Sequence, residues 1–151
     1  MDKDEEIKQK IIDYLASHIK MTLATVTPEG KPIAHTVVYV NEGATVYFRS
    51  RDFRRKNKNI LNNPSVAYTV DEYPGDDWGQ LQGVQMEGRA TVLTEQADID
   101  HSTELYVKKF PFVDKFVPRE TPELRVIKVE PVEGYFLDYR QQFGRRDKVT
   151  F

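Results

Sequence analysis

Cysteine is absent from the 151 residues. That excludes a disulfide scaffold, thiol catalysis and thiolate metal sites, and it is compatible with an intracellular location. Histidine is scarce: His18, His35 and His101 stand far apart, with no HExxH or comparable metal-ligand spacing. No GxSxG, P-loop or GxGxxG occurs, and no His or acid is spaced to make a triad with Ser50. Hydrolase chemistry therefore has no sequence support. Long apolar runs are missing too; none approaches the ~20 residues of a membrane span. The start, MDKDEEIKQK, is too charged for a secretory signal, so cytoplasm is the expected compartment. The formal net charge of −2 argues against general nucleic-acid binding, which calls for net positive charge.

What the chain does contain is an ordinary soluble composition, 30% charged and 39% hydrophobic, long enough to form one domain, 1–151, around a real core. Its organising stretch is 33–70. Val37, Val38, Tyr39 and Val40, then Val46, Tyr47 and Phe48, are the β-branched and aromatic types that suit a pleated, half-buried surface. Asn41-Glu42-Gly43-Ala44 between them predicts a hairpin. Directly after it, Arg49, Arg51, Arg54, Arg55, Lys56 and Lys58 place six cations within ten residues, beside the Ser50 hydroxyl. A charge run by itself usually means a solvated loop. A strand end that brings guanidinium forks and a hydroxyl together is also well suited to holding a phosphate.

Taken in order, the chain opens with an amphipathic helix at 2–19, its apolar face carrying Ile7, Ile11, Ile12, Leu15 and Ile19. Acidic residues crowd its first turns, where the helix dipole favours them. His18 reads as a surface residue at its C-terminal end. Strands follow at 21–27, 32–40 and 45–50, then a short helix at 54–61 that Asn62-Asn63-Pro64 closes, then a strand at 65–70. The turn at 28–31 fits several types. Residues 71–79 (DEYPGDDWG) form a loop, whose Trp78 is expected to cap the core rather than to stack on a ligand. A fifth strand spans 80–94, with Gly83 and Gly88 marking bulges or close backbone approach. A second helix covers 97–110, and a short apolar segment between Pro111 and Pro118 follows. Residues 123–138 read as one long strand with a break at Pro131 and Gly134, or as two. The tail carries a second basic group, Arg140, Arg145, Arg146 and Lys148. Short strands, close turns and few helices predict a mainly β protein with peripheral helices, a closed antiparallel barrel.

The order LATVTPEGKPIAHTVVYV, TVYFRS, RRKNKNILNNPSVAYTV and GVQMEGRATVL resembles the pyridoxamine 5'-phosphate oxidase-like split-barrel flavoproteins. That resemblance implies a six-stranded split β-barrel and a homodimer with FMN between the subunits. It implies that Ser50, Arg55 and Lys56, with Arg49 adjacent, hold the FMN phosphate. The strand edge at His35, Thr36, Val37 and Val38 would lie along the isoalloxazine. A ring-contacting Gln of the family aligns at Gly83 here, so Gln82 or Gln85 would have to serve. The family's substrate-phosphate positions fall on Tyr106, Phe110 and Asp114, and the tail lacks an Arg-x-His pattern, which argues against pyridoxamine phosphate as substrate. The expected function is thus an FMN-dependent oxidoreductase of an unidentified small molecule, with a nicotinamide or oxygen as redox partner. Alternatives are a non-catalytic flavin-binding barrel in storage, sensing or stress, a heme-binding one ligated by His35 or His101, and a deazaflavin-binding one using Arg145 and Arg146. No catalytic residue and no metal ligand is assigned.

Overall fold

A computed structural model describes residues 1–117 and 121–151. Seven antiparallel strands form one sheet: β1 (Lys20–Val26), β2 (Pro32–Glu42), β3 (Thr45–Arg51), β4 (Ser65–Asp71), β5 (Gln82–Val92), β6 (Leu124–Asp138) and β7 (Arg146–Thr150). Their order is β3-β2-β1-β4-β5-β6-β7, and an additional β3–β6 pairing closes the first six into a barrel. Among the described residues, four α-helices lie outside it: α1 (Lys3–Ala16), α2 (Arg55–Asn62), α3 (Gln96–Lys109) and the single turn α4 (Val113–Phe116). Among the described residues, no helix is long and apolar enough to cross a membrane.

The pleat alternates side chains between the barrel interior and its outside. In β1, Met21, Leu23 and Thr25 are buried while Thr22 lies outside. In β2, Val37 and Tyr39 point inward; Thr36 and Val38 point out. A main core fills the barrel around Leu23, Tyr39, Phe48, Met86 and Ile127, extended by Ile7, Ile11 and Leu15 of α1. A smaller apolar layer on the outer wall joins Val40, Tyr47 and Val126 to Tyr106 of α3 and Phe110 just after it.

Helix α1 starts on a capping box in which Asp2 and Glu5 satisfy each other's backbone N–H groups. It ends earlier than the sequence pattern predicts, so Ile19 is exposed rather than packed on the helix face. His18 lies just beyond the helix, its ring stacked on Tyr14 at 4.0 Å and its Nε2 3.5 Å from the Glu72 carboxylate. Residues 123–138 form one strand after all. Its break is a bulge: Glu87 pairs with Glu133 and Gly88 with Pro131, so β6 carries one extra residue there. Strand β7, not expected from the residue pattern of the tail, pairs with β6 and shelters only Val149. The segment after Pro111 contains α4; Pro118 lies outside the described residues.

Gly88 shows how tight the bulge is. A Cβ there would sit 2.7 Å from Val129 Cγ1 and 2.8 Å from the Glu130 carbonyl oxygen, one a stiff side chain and the other backbone. Gly88→Ala is expected to destabilise the fold by about 1–3 kcal/mol, the usual cost of overpacking. A lowered urea midpoint with unchanged m value is the measurement that checks it.

Candidate functional site

The barrel is open along one seam. Strand β3 pairs with β2 only where Tyr39–Glu42 face Thr45–Phe48. Beyond Phe48 it stays with β6, Arg49 facing Val126, Ser50 facing Arg125 and Arg51 facing Leu124. Residues 32–38 of β2 therefore have β1 on one side and no strand on the other. Tyr39 N–H donates to Ile19 O on the β1 side, and the Tyr106 hydroxyl donates to Val38 O on the open side at 3.3 Å. Strand alternation thus turns the backbone groups of Thr36 and Val38 toward the seam.

Helix α2 plugs one end of this gap and is tied to both banks. Asn57 Nδ2 donates to Arg51 O at 3.0 Å and to Ser50 O at 3.4 Å. Asn59 Nδ2 donates to Thr25 Oγ1 at 2.9 Å, and that hydroxyl meets His35 Nε2 at 2.8 Å. Asn59 Nδ2, Thr25 Oγ1 and His35 Nε2 thus form one hydrogen-bonded chain running from α2 through β1 to β2. Both asparagines are buried. They are polar residues in a core-facing position because each bridges two elements.

A cavity of ≈ 490 Å³ occupies the rest of the seam. Thr36, Val37, Val38, Arg49, Ser50, Arg51, Arg54 and Lys56 line it from the strands and the start of α2. Tyr106, Phe110, Phe112 and Phe116 are among those that line it from the other side, and Ile19, just before β1, borders it on the strand side. Ser50 is only 6% exposed, and its Oγ has no hydrogen-bond partner. Arg49 spreads over the Tyr106 ring at 4.3 Å and donates to Thr103 Oγ1 at 3.4 Å. Arg51 pairs with Glu123 at 3.5 Å. Among the described residues, Arg54, Arg55 and Lys56 have no carboxylate partner; burial, and then Arg54, hold the Lys56 ammonium below its usual pKa. These cations also oppose the dipole of α2, whose first turn has no acidic residue and no side-chain cap. An anion at that corner would relieve all three penalties together.

The structure thus brings Thr36, Val37, Val38, Arg49, Ser50 and Lys56 to one cavity, with Arg55 exposed beside them on the first turn of α2. His35 sits behind that wall, its side chain turned inward. Gln82 and Gln85 are elsewhere in this chain. Gln82 lies by α1, where its carbonyl accepts from the Tyr14 hydroxyl, and Gln85 lies on the outer sheet face, its Oε1 accepting from Arg146. Trp78 does not cap the core: it is 71% exposed in a 3-10 turn, because the acidic loop around it stays in water. The aromatic wall of α3 and α4 went unread as part of a site, since its apolar spacing looks like ordinary core. No group of His, Asp or Glu among the described residues is arranged to hold a metal ion.

Comparison with known proteins gives the class. The pyridoxamine 5'-phosphate oxidase family profile matches residues 7–138, and the chain belongs to that family. General stress protein 26 of Bacillus subtilis (strain 168) is 30% identical over 132 residues, covering 84% of this chain and 85% of that protein. Among solved structures, a putative pyridoxamine 5'-phosphate oxidase from Listeria innocua superposes with a TM-score of 0.68 at 22% identity, covering 87% of this chain and 98% of that one. A heme binding protein from Mycobacterium smegmatis gives 0.79 at 18%, covering 99% of this chain and 59% of that one. At such identities these two show the shared split-barrel fold.

His35 offers a pH test of the α2 tether. Burial, then Lys56 and Arg55, hold its imidazolium below the ordinary value of 6.5. The unfolded chain therefore takes up this proton at higher pH than the folded one. Stability from this group is complete above about pH 6.5 and is lost as pH falls through that value toward the folded pKa. His35→Gln, which cannot titrate and keeps an acceptor for Thr25, is expected to flatten the loss of urea-midpoint stability between about pH 7.5 and about pH 5.

Proposed function

We propose that this protein binds FMN in the seam and works as a cytoplasmic homodimeric oxidoreductase on a small molecule, with a nicotinamide as electron donor. The observation that carries the reading is the buried, unpartnered Ser50 hydroxyl beside uncompensated cations at the start of α2. A buried polar atom without a partner costs about 1–3 kcal/mol, and a phosphate oxygen accepting from it removes that cost. Lys56 and Arg55 would add charge-assisted hydrogen bonds to the same phosphate, with Arg49 on the flank. Backbone groups of Thr36 and Val38 on the open edge of β2 suit the polar rim of a flavin ring, and Val37 and His35 hold that edge from within. Bound flavin supplies the electron transfer; the chain supplies grip, orientation and a dry wall.

Gln82 and Gln85 enter this scheme only from the second subunit, because neither faces the seam of its own chain. Pyridoxamine phosphate itself does not suit the site. The Tyr106 hydroxyl is spent on Val38 O and Tyr47 O, and Phe110 stands where a cation would be needed for a second phosphate.

The test is equilibrium binding of FMN to the purified protein and two variants. Arg55→Ala combined with Lys56→Ala is expected to weaken FMN binding by about 2–4 kcal/mol, somewhat under two full charged hydrogen bonds because Arg55 is exposed. Ser50→Ala is expected to weaken it by about 1 kcal/mol while leaving the stability of the FMN-free chain equal or higher, since it deletes an unpaired buried hydroxyl. An unchanged Kd in the double variant removes the phosphate assignment.

A further inference from the structure

The cavity is chemically two-sided. Helix α2, which carries Arg55 and Lys56 on its first turn, is tied through Asn59 and Thr25 to His35, so these cations belong to the His35–Thr36 end of the β2 edge. Val38 lies further along, level with Lys20 and next in space to Ile19. From there the wall is aromatic. Phe110 meets Phe112 edge to face at 6.1 Å, and Phe112 meets Phe116 at 5.8 Å and 89°. Phe112 is 53% exposed and Phe116 75%. Exposed large apolar side chains are ordinary when scattered and informative when gathered. Here Ile19, Val38, Phe112 and Phe116 all border the same cavity. Lys109, packed behind this wall, is not available to an anion: it donates to His18 O and lies over the Tyr39 ring at 4.5 Å.

We infer that the apolar half of the seam is a second ligand site, and that it takes an uncharged, planar, apolar small molecule as the substrate of this protein. The inference rests on the flavin reading only for calling that molecule the substrate; the site itself stands on the wall. Three features select the class. The whole cavity, cationic end included, measures ≈ 490 Å³, so its apolar part has the size of a small-molecule subsite rather than of a groove for a chain. Aromatic edges and faces at these separations favour a flat ring slotted between them. Arg49, the cation against this wall, is taken up by the Tyr106 ring and Thr103, and the cations of the other end are those that a phosphate would occupy.

The experiment is equilibrium dialysis of the oxidised, FMN-supplemented protein, with no electron donor. It compares 2-methyl-1,4-naphthoquinone, which is neutral, with 1,2-naphthoquinone-4-sulfonate, which is anionic. The neutral quinone is expected to bind at least about tenfold tighter than the sulfonate, a difference of about 1.4 kcal/mol. Phe112→Ser with Phe116→Ser is expected to weaken neutral binding by about tenfold or more and to leave the FMN Kd within about twofold. Ile19→Ser, on the facing side and on another element, is expected to act in the same direction. Equal or tighter binding of the sulfonate overturns the assignment. So does a double variant that keeps quinone affinity but loses self-association, because the wall is then a subunit contact. If the wild type holds no FMN yet binds the quinone in a Phe112- and Phe116-dependent way, the site stands and the cofactor reading falls.

Discussion

The structure depends on one change of partner. Strand β3 serves β2 as far as Phe48 and then belongs to β6 alone, so the barrel closes at one end of β3 and gapes at the other. Every backbone N–H and C=O left facing that gap needs a partner, because buried unpaired amides are costly. Part of the need is met by side chains on helices: Asn57 covers the carbonyls of Ser50 and Arg51, and Tyr106 covers Val38 and Tyr47. The open edge at Thr36 and the Ser50 hydroxyl are left facing the cavity. A split barrel is in this sense a scaffold with a binding site built into its hydrogen-bond accounting.

Charge distribution sharpens the point. Basic residues after Phe48 do not behave as one cluster. Arg51 is paired with Glu123 and Arg125 with Asp52, so the outer rim is locally neutral. Arg49 is absorbed by Tyr106 and Thr103 of α3. Arg54, Arg55 and Lys56 remain, placed where the dipole of α2 already carries positive potential. Ordinary helix design would put acids there. Such an arrangement is poor for an isolated helix and good for an anion clamp, and surface solvation alone gives no reason for the accompanying buried serine.

Most of this was legible in the sequence where period and composition agree. Strands β1 to β5 announced themselves by alternation and by Gly and Pro turns, and the cationic corner by its density. What stayed hidden was set by partners distant in the chain. Arg146–Thr150 has one buried side chain, Val149, so β7 exists only because the edge of β6 accepts it. Trp78 carries the largest apolar surface of its loop, yet four carboxylates within 71–77 keep the loop in water and the indole with it. Gln82 and Gln85 enter the expected site only through the family resemblance, which aligns a ring-contacting Gln at Gly83, and within one chain the barrel sets both away from the seam. Closure of β3 on β6, over 70 residues apart, has no local signature at all, and the seam is its consequence.

The histidines bear on which prosthetic group the seam suits. A heme needs an imidazole lone pair aimed at iron, and each imidazole here is held by another contact. His18 is stacked on Tyr14 and hydrogen-bonded to its carbonyl, and His101 lies against both oxygens of Glu42. His35 is the one nearest the cavity, but its Nε2 is hydrogen-bonded to Thr25 at the end of the Asn59–Thr25 chain. Turning that nitrogen toward iron would strip Thr25 of its partner inside the barrel and loosen α2 from β2, the bank on which the cavity depends. The residues therefore do not fit heme in this seam. Likeness to the Mycobacterium smegmatis heme binding protein, at 18% identity over 59% of that chain, is a likeness of fold. A phosphate-bearing planar cofactor asks nothing of the histidines, and it needs the hydroxyl, the cations and the open strand edge, which are all there.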